Sequence, residues 1–147
     1  MAVSTGVITL GTVSAVQHLG VFNGCFYTDP TSSKPTWKAY YPASTAAADT
    51  VATIYMDPTI VFEAQHDETG TAALNFASGN FVGTSGSTVT GQSTQELDSD
   101  TFTTTASGLK QIGISKDPDN SDTSSANCNA YVVFGTGENV FTFATGI

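Results

Sequence analysis

At 147 residues the chain suits one domain, and a domain of this size can remove roughly 70% of its unfolded surface from water, enough for a core without staples. Ser, Thr and Gly dominate, Leu is scarce and Arg is absent, so good helix formers are missing where β-branched residues and turn formers abound; the composition excludes a helical protein and reads as all-β. Thirteen carboxylates against four scattered lysines give a formal net charge of −9, which excludes nucleic acid as a partner, because phosphate binding depends on clustered Lys and Arg that release counterions.

The first segment, Met1 to Val16, has no basic region and no uninterrupted apolar run, so neither a signal peptide nor a membrane span is expected, and the chain reads as a soluble protein made in a cytosol. It alternates weakly between Val3, Val7 and Thr9 on one side and Ile8 and Leu10 on the other, and carries no charged side chain. Two readings stay open: an arm (residues 1–16) that adds as a strand to a partner or a neighbouring copy, or the first strand of the domain itself, which otherwise occupies residues 17–147.

Short runs with period-2 alternation follow, expected as strands at Val3 to Leu10, Val13 to Tyr27, Thr101 to Thr105, Lys110 to Ser115, Ala130 to Phe134 and Asn139 to Phe143. In Thr53 to Gln65, Ile60, Phe62 and Ala64 alternate with Val61, Glu63 and Gln65, which predicts one apolar and one mixed face on a strand entered through Asp57-Pro58. Turn residues at Asp29-Pro30, Ser33-Lys34-Pro35, Asp67 to Gly70, Ser78-Gly79-Asn80 and Asp117 to Asn120 separate the runs. Residues 83–95 and 119–129 are too polar to pack as strands and read as surface loops. Glu96 to Ser99 has room for one helical turn, and the last two runs read as a hairpin across Gly135 to Glu138, with Phe141 and Phe143 on one face. Many short strands so spaced favour a small β-barrel or β-sandwich with long polar loops.

Residues with chemical potential are few. His18 and His66 are the only histidines and sit in no nucleophile motif, so both read as structural. Glu63 with Glu68, or Glu96 with Asp98, are carboxylate pairs, but adjacency along the chain does not make two carboxyls face one sugar. Asp117, Asp119 and Asp122 crowd oxygen ligands as a Ca²⁺ loop does, yet the sixth position is Asp122 where an EF-hand needs Gly, and the twelfth is Cys128 where it needs Glu. Cys25 and Cys128 lack zinc spacing and read as free, reduced thiols. No catalytic residue, metal or cofactor is expected. The stretch Gly20 to Ser44 carries Phe22, Phe26, Tyr27, Trp37, Tyr40 and Tyr41, which either fill the core or anchor an interface. The candidate interface residues are Phe22, Trp37, Tyr40 and Tyr41, with Val3, Val7 and Ile8 from the arm.

An ordered set of segments carries a resemblance. GVFNGCFYTDP (Gly20 to Pro30), PTWKAYYPAS (Pro35 to Ser44), ATIYMDP (Ala52 to Pro58), IVFEAQ (Ile60 to Gln65), ELDS (Glu96 to Ser99), LKQIGISKDPDN (Leu109 to Asn120) and AYVVFGTGEN (Ala130 to Asn139) together resemble tailed-phage capsid decoration proteins over roughly residues 20–140. The chain departs from that family at Asn139-Val140-Phe141, where the family's final strand ends in an Asn-x-His-like tail. The resemblance implies a β-rich cement subunit, of β-tulip-like or jelly-roll-like form, often a homotrimer. It implies a protein bound to the major capsid protein on the outer surface of the virion, made in the host bacterial cytoplasm, without cofactor and without membrane contact. A rival reading from another class is a carbohydrate- or receptor-binding module of a phage fibre.

Overall fold

The computed structural model describes residues 2–4, 7–9, 18–84, 86–104 and 108–135. All strand pairing between its named elements is antiparallel and falls into four small sheets. The chain is therefore all-β as expected, with only two single-turn 3-10 segments, Ala72–Leu74 and Ser99–Thr101, among the described residues. No closed barrel forms among them. No helix there is long and apolar enough to cross a membrane.

β1 (Ala2–Ser4) and β2 (Val7–Thr9) pair with each other, Val3 opposite Ile8 and Ser4 opposite Val7. The single run expected from Val3 to Leu10 is thus two short strands facing one another. β3 (Val21–Thr28) is the centre of a three-stranded sheet, flanked by β4 (Pro35–Lys38) and β5 (Val51–Tyr55). β3 turns into β4 through the expected Asp29-Pro30 turn: the Asp29 carboxylate accepts from Thr31 N–H and Ser32 Oγ, and its backbone exchanges hydrogen bonds with Ser33 and Lys34.

The run from Thr53 to Gln65 divides in two. Asp57 accepts from the backbone and hydroxyl of Thr59, turning the chain there, and β6 (Phe62–Gln65) leaves for a different sheet. Alternation within β6 holds: Phe62 and Ala64 pack on the core and Glu63 faces water. β7 (Ser78–Gly79), β10 (Leu109–Ile114) and β11 (Asn129–Phe134) complete a four-stranded sheet in the order β6, β11, β10, β7. β8 (Phe81–Val82) pairs with β9 (Glu96–Leu97). β9 is joined to the end of β6 by a bridge between His66 and Leu97.

Two other expectations are corrected. Thr101 to Thr105 is not a strand over its described residues: Asp98 caps the 3-10 turn at Ser99–Thr101 by accepting from Asp100 N–H, and only Thr103 pairs, with Ser78. Ser78 and Gly79, read as a turn, are strand β7. In the expected terminal hairpin, the first arm is β11, whose edges are occupied by β6 and β10 over Ala130 to Val132; the second arm lies outside the described residues. Residues 83–95 and 119–129 carry turns and no strand over the described residues short of Asn129, as expected for loops.

The core lies on the four-stranded sheet. Leu97, Leu109, Ala130, Val132 and Phe134 are buried together, with Phe62, Phe81 and Phe102 packed around them. Each such Leu, Val or Phe contributes roughly 1.5–3 kcal/mol of transfer free energy when fully buried. Phe62 meets Phe134 edge-on at 5.5 Å, and the buried His18 ring stacks on the same phenylalanine at 6.0 Å, where desolvation holds its pKa below the ordinary value.

Candidate functional site: an open aromatic face

The two larger sheets treat their apolar residues differently. Register fixes which side chains share a face of the three-stranded sheet. Phe26 lies opposite Trp37 on one side and Val51 on the other, and Val21 lies opposite Tyr55. These five point outward together with Thr53 and Thr28, and all five large apolar side chains are exposed, Trp37 by 55% and Val51 by 63%. Contiguous exposed apolar residues of this kind mark contact surfaces, whereas singly scattered ones are ordinary.

Two local devices build the face. The pairing of β3 with β5 slips between Phe22 and Gly24, so Asn23 is a bulge residue and the side-chain direction changes there. Gly24 takes φ +140°, and a Cβ at that position would lie 2.7 Å from the Trp37 ring; lacking one, the strand lets the indole approach its backbone closely. The Asp49 carboxylate then ties down the end of β3, accepting from Thr28 N–H at 3.1 Å and Thr28 Oγ1 at 2.6 Å, and these bonds, the hydroxyl first, hold its pKa below the ordinary carboxylate value.

Of the residues expected at an interface, only Trp37 belongs to this face. Phe22 pairs with Ile54 on the opposite side of the sheet and is half-buried. Tyr41 packs edge-on against buried Tyr27 at 6.2 Å, and its hydroxyl donates to Thr45 O. Tyr40 is half-buried against Gly91, where the polar loop 83–95 meets this sheet. Val3, Val7 and Ile8 lie in the paired strands β1 and β2. Phe26, Val51, Tyr55 and Val21 were not among the expected interface residues; the available signal was the outward alternation of Val51, Thr53 and Tyr55.

The other sheet encloses a polar cluster centred on His66, which is completely buried. Its Nε2 lies 2.9 Å from Gln111 Oε1 and its Nδ1 2.9 Å from Ser99 Oγ. Gln111 Nε2 donates to Thr71 O at 3.1 Å and Asn75 Oδ1 at 2.9 Å, which orients the amide and turns its oxygen to the ring. Nε2 of His66 therefore carries the hydrogen, and Nδ1 accepts from the Ser99 hydroxyl. Burial pushes the His66 pKa down against the opposing pull of Gln111 and Asp67. The hydroxyl and imidazole have the spacing of a nucleophile and its base, but the third group is an uncharged amide, which holds a neutral ring and offers no charge to stabilise an imidazolium. The cluster joins β6, β10 and the segments around Thr71 and Ser99, and its evident work is to fasten them.

The acidic loop spends its carboxylates locally. Asp117 accepts from Asp119 N–H, and Asp122 accepts from Ser124 and Ser125. Among the described residues no three His, Cys, Asp or Glu side chains converge on a metal position. Glu63 is bonded to Ser115 and Asn129 across β6 and β11. Cys25 and Cys128 are both buried and free, one in each of the two larger regions. Comparison of the chain with protein-family models, with curated proteins and with solved structures finds no match.

Proposed function

We propose that this chain is a structural protein of a phage particle, a cement subunit that binds the major capsid protein on the outer surface of the head and holds neighbouring capsomers together. The observation that carries the reading is the open face formed by Trp37, Phe26, Val51, Val21 and Tyr55, which leaves unburied the apolar area that a protein–protein contact uses. The ordered segments between residues 20 and 140 supply the identity of the partner, by resemblance.

In this reading the protein is ligand rather than catalyst and takes no cofactor. A subunit that binds only the intact junction between capsomers stabilises the assembled shell by mass action. A homotrimer matches a three-fold junction, and once one subunit is seated the second and third contacts form intramolecularly. Residues 1–16, uncharged and extended where described, suit a strand added to the capsid protein or to a neighbouring subunit.

One observation favours the second reading, a glycan-binding module: an exposed indole, packed on Gly24 and on the same face of the sheet as Thr53, is a stacking surface for a sugar ring. One pair of measurements separates them. Heads lacking the protein are incubated with wild-type chain or with Trp37→Ala/Phe26→Ser, sedimented, and heated; the cement reading requires wild type to co-sediment at a fixed ratio to capsid protein and raise the temperature of head rupture, and the double variant to do neither. A strong, Trp37-dependent signal on a glycan array, with no head binding, replaces it with the second reading.

A further inference from the structure

The edge strands of the two larger sheets are unequal. A sheet edge carries unpaired backbone N–H and C=O groups, and proteins blunt it with proline, charge or brevity. β4 opens on Pro35 and is bracketed by Lys34 and Lys38. β7 is two residues long with Ser78 bridged to Thr103, and β6 carries Glu63 and runs into the bridge between His66 and Leu97. β5 has none of these devices. Val51 to Tyr55 is five residues without charge or proline, and no strand lies on its outer side among the described residues.

Hydrogen bonds elsewhere in the sheet fix which groups of β5 point outward. Along a strand, the N–H and C=O of successive residues are directed to opposite sides. Asp29 N–H donates to Lys34 O on the β4 side, whereas Thr28 N–H is turned the other way, to the Asp49 carboxylate that precedes β5. Phe26 and Gly24, two and four residues before Thr28, therefore face β5, and their partners Val51 and Thr53 face back toward them. Ala52 and Ile54 are left with a donor and an acceptor each on the free edge.

That row selects its occupant by chemistry. Backbone groups that recur at every second residue are matched by another extended backbone with the same repeat. Val51, Thr53 and Tyr55 bring the open face up to this edge, so an added strand sets every second side chain beside them, and apolar side chains suit those positions. Asp49 and Asp57 each stand two residues beyond an end of β5 with no cation between them, which suits basic residues at the flanks of the incoming segment.

We propose that the outer edge of β5 is a strand-addition site, where an extended segment of the partner, apolar at alternate positions and basic at its flanks, pairs with Ala52 and Ile54 as a fourth strand of this sheet. Its partner, the major capsid protein, is taken from the cement reading, on which this site rests. What is added is that the backbone of β5, and not the aromatic side chains alone, makes the contact.

Amide exchange of the full chain tests it, free and bound to heads that lack the protein, quenched and read residue by residue by fragmentation mass spectrometry. Binding is expected to slow exchange at Ala52 and Ile54 by about tenfold or more, while Val51 and Thr53, already bonded to β3, change little. Binding that leaves Ala52 and Ile54 unslowed overturns strand addition and leaves the cement reading standing, whereas absence of binding overturns both. Ala52→Pro removes an outward donor without taking a bond from β3, and should weaken head binding by about tenfold. A folded Ala52→Pro chain that binds like wild type overturns the site; if that variant does not fold, the exchange pattern of the wild type decides. Asp57→Asn is expected to weaken binding by about threefold, and an unchanged affinity contradicts the basic flanks.

Discussion

The four-stranded and three-stranded sheets use the same residue types to opposite ends. On the first, Leu109, Val132 and Phe134 are sealed beneath β9 and the phenylalanines around it. On the second, Phe26, Trp37, Val51 and Tyr55 form an equally regular cross-strand array that faces water. Hydrophobic burial has been collected in one place and left uncollected in the other. The stability of the free chain should therefore reside in the first sheet and its capacity for contact in the second.

The sharpest way to break that contrast is a pair of truncations in the two regions. Leu109→Ala removes a fully buried side chain and should cost about 2–5 kcal/mol, read as a fall in the denaturation midpoint at unchanged slope. An equal effect from Trp37→Ala would erase the distinction.

Acid sharpens the comparison next, because both histidines lie against the first sheet and its surroundings. His18 and His66 are held below their ordinary pKa, chiefly by burial. As pH falls below about 6.5, an unfolded chain binds protons that the folded one refuses, so their contribution is complete above that pH and is lost toward the lowered folded values, by up to about 1.4 kcal/mol per pH unit for each ring. Asp29, Asp57 and Asp122, lowered by hydrogen bonds within their own turns, and Asp49, lowered by those from Thr28, add a second decline only below about pH 4. Thermal melts between pH 7.5 and 5 should show the first decline, and His66→Gln should reduce its pH slope. A melting temperature flat from pH 7.5 to 5 would contradict this assignment.

The smallest effect on stability is expected at the open face itself. Trp37→Ala should shift unfolding by no more than about 0.5 kcal/mol, as surface changes usually do, while reducing retention on a hydrophobic-interaction column. Unchanged retention would mean that the face is not the dominant apolar surface of the chain.

Much of this arrangement was written locally in the sequence, and the part that was not has identifiable causes. The β-rich composition, the Asp29 and Asp117 turns and the inward pair Phe62 and Ala64 need only neighbouring residues to specify them. β4 was hidden because Pro35 opens it, and a proline after Ser33-Lys34 looks like loop. The two-residue strands β7 and β8 are too short to show a period. The open face depends on the bulge at Asn23: a shift of one residue exchanges the faces of a strand, so Phe22 turns inward while Phe26 and Trp37 turn out together. The His66 cluster was beyond reach for another reason, since Gln111 and Ser99 meet the ring only through pairing of segments 45 and 33 residues away.

The two thiols give this molecule a pair of internal clocks. Cys25, whose Sγ donates to Tyr40 O, is closed beneath the three-stranded sheet, and Cys128, whose Sγ donates to Gly70 O, is closed beside His66. A thiol reagent reaches either one only when its own surroundings open, so the two labelling rates in a single native sample report two opening free energies. If the sheets open as one cooperative unit the clocks run together, and if the three-stranded sheet loosens alone Cys25 runs ahead. Occupation of the open face by any partner would then be audible as a slowing of Cys25 alone.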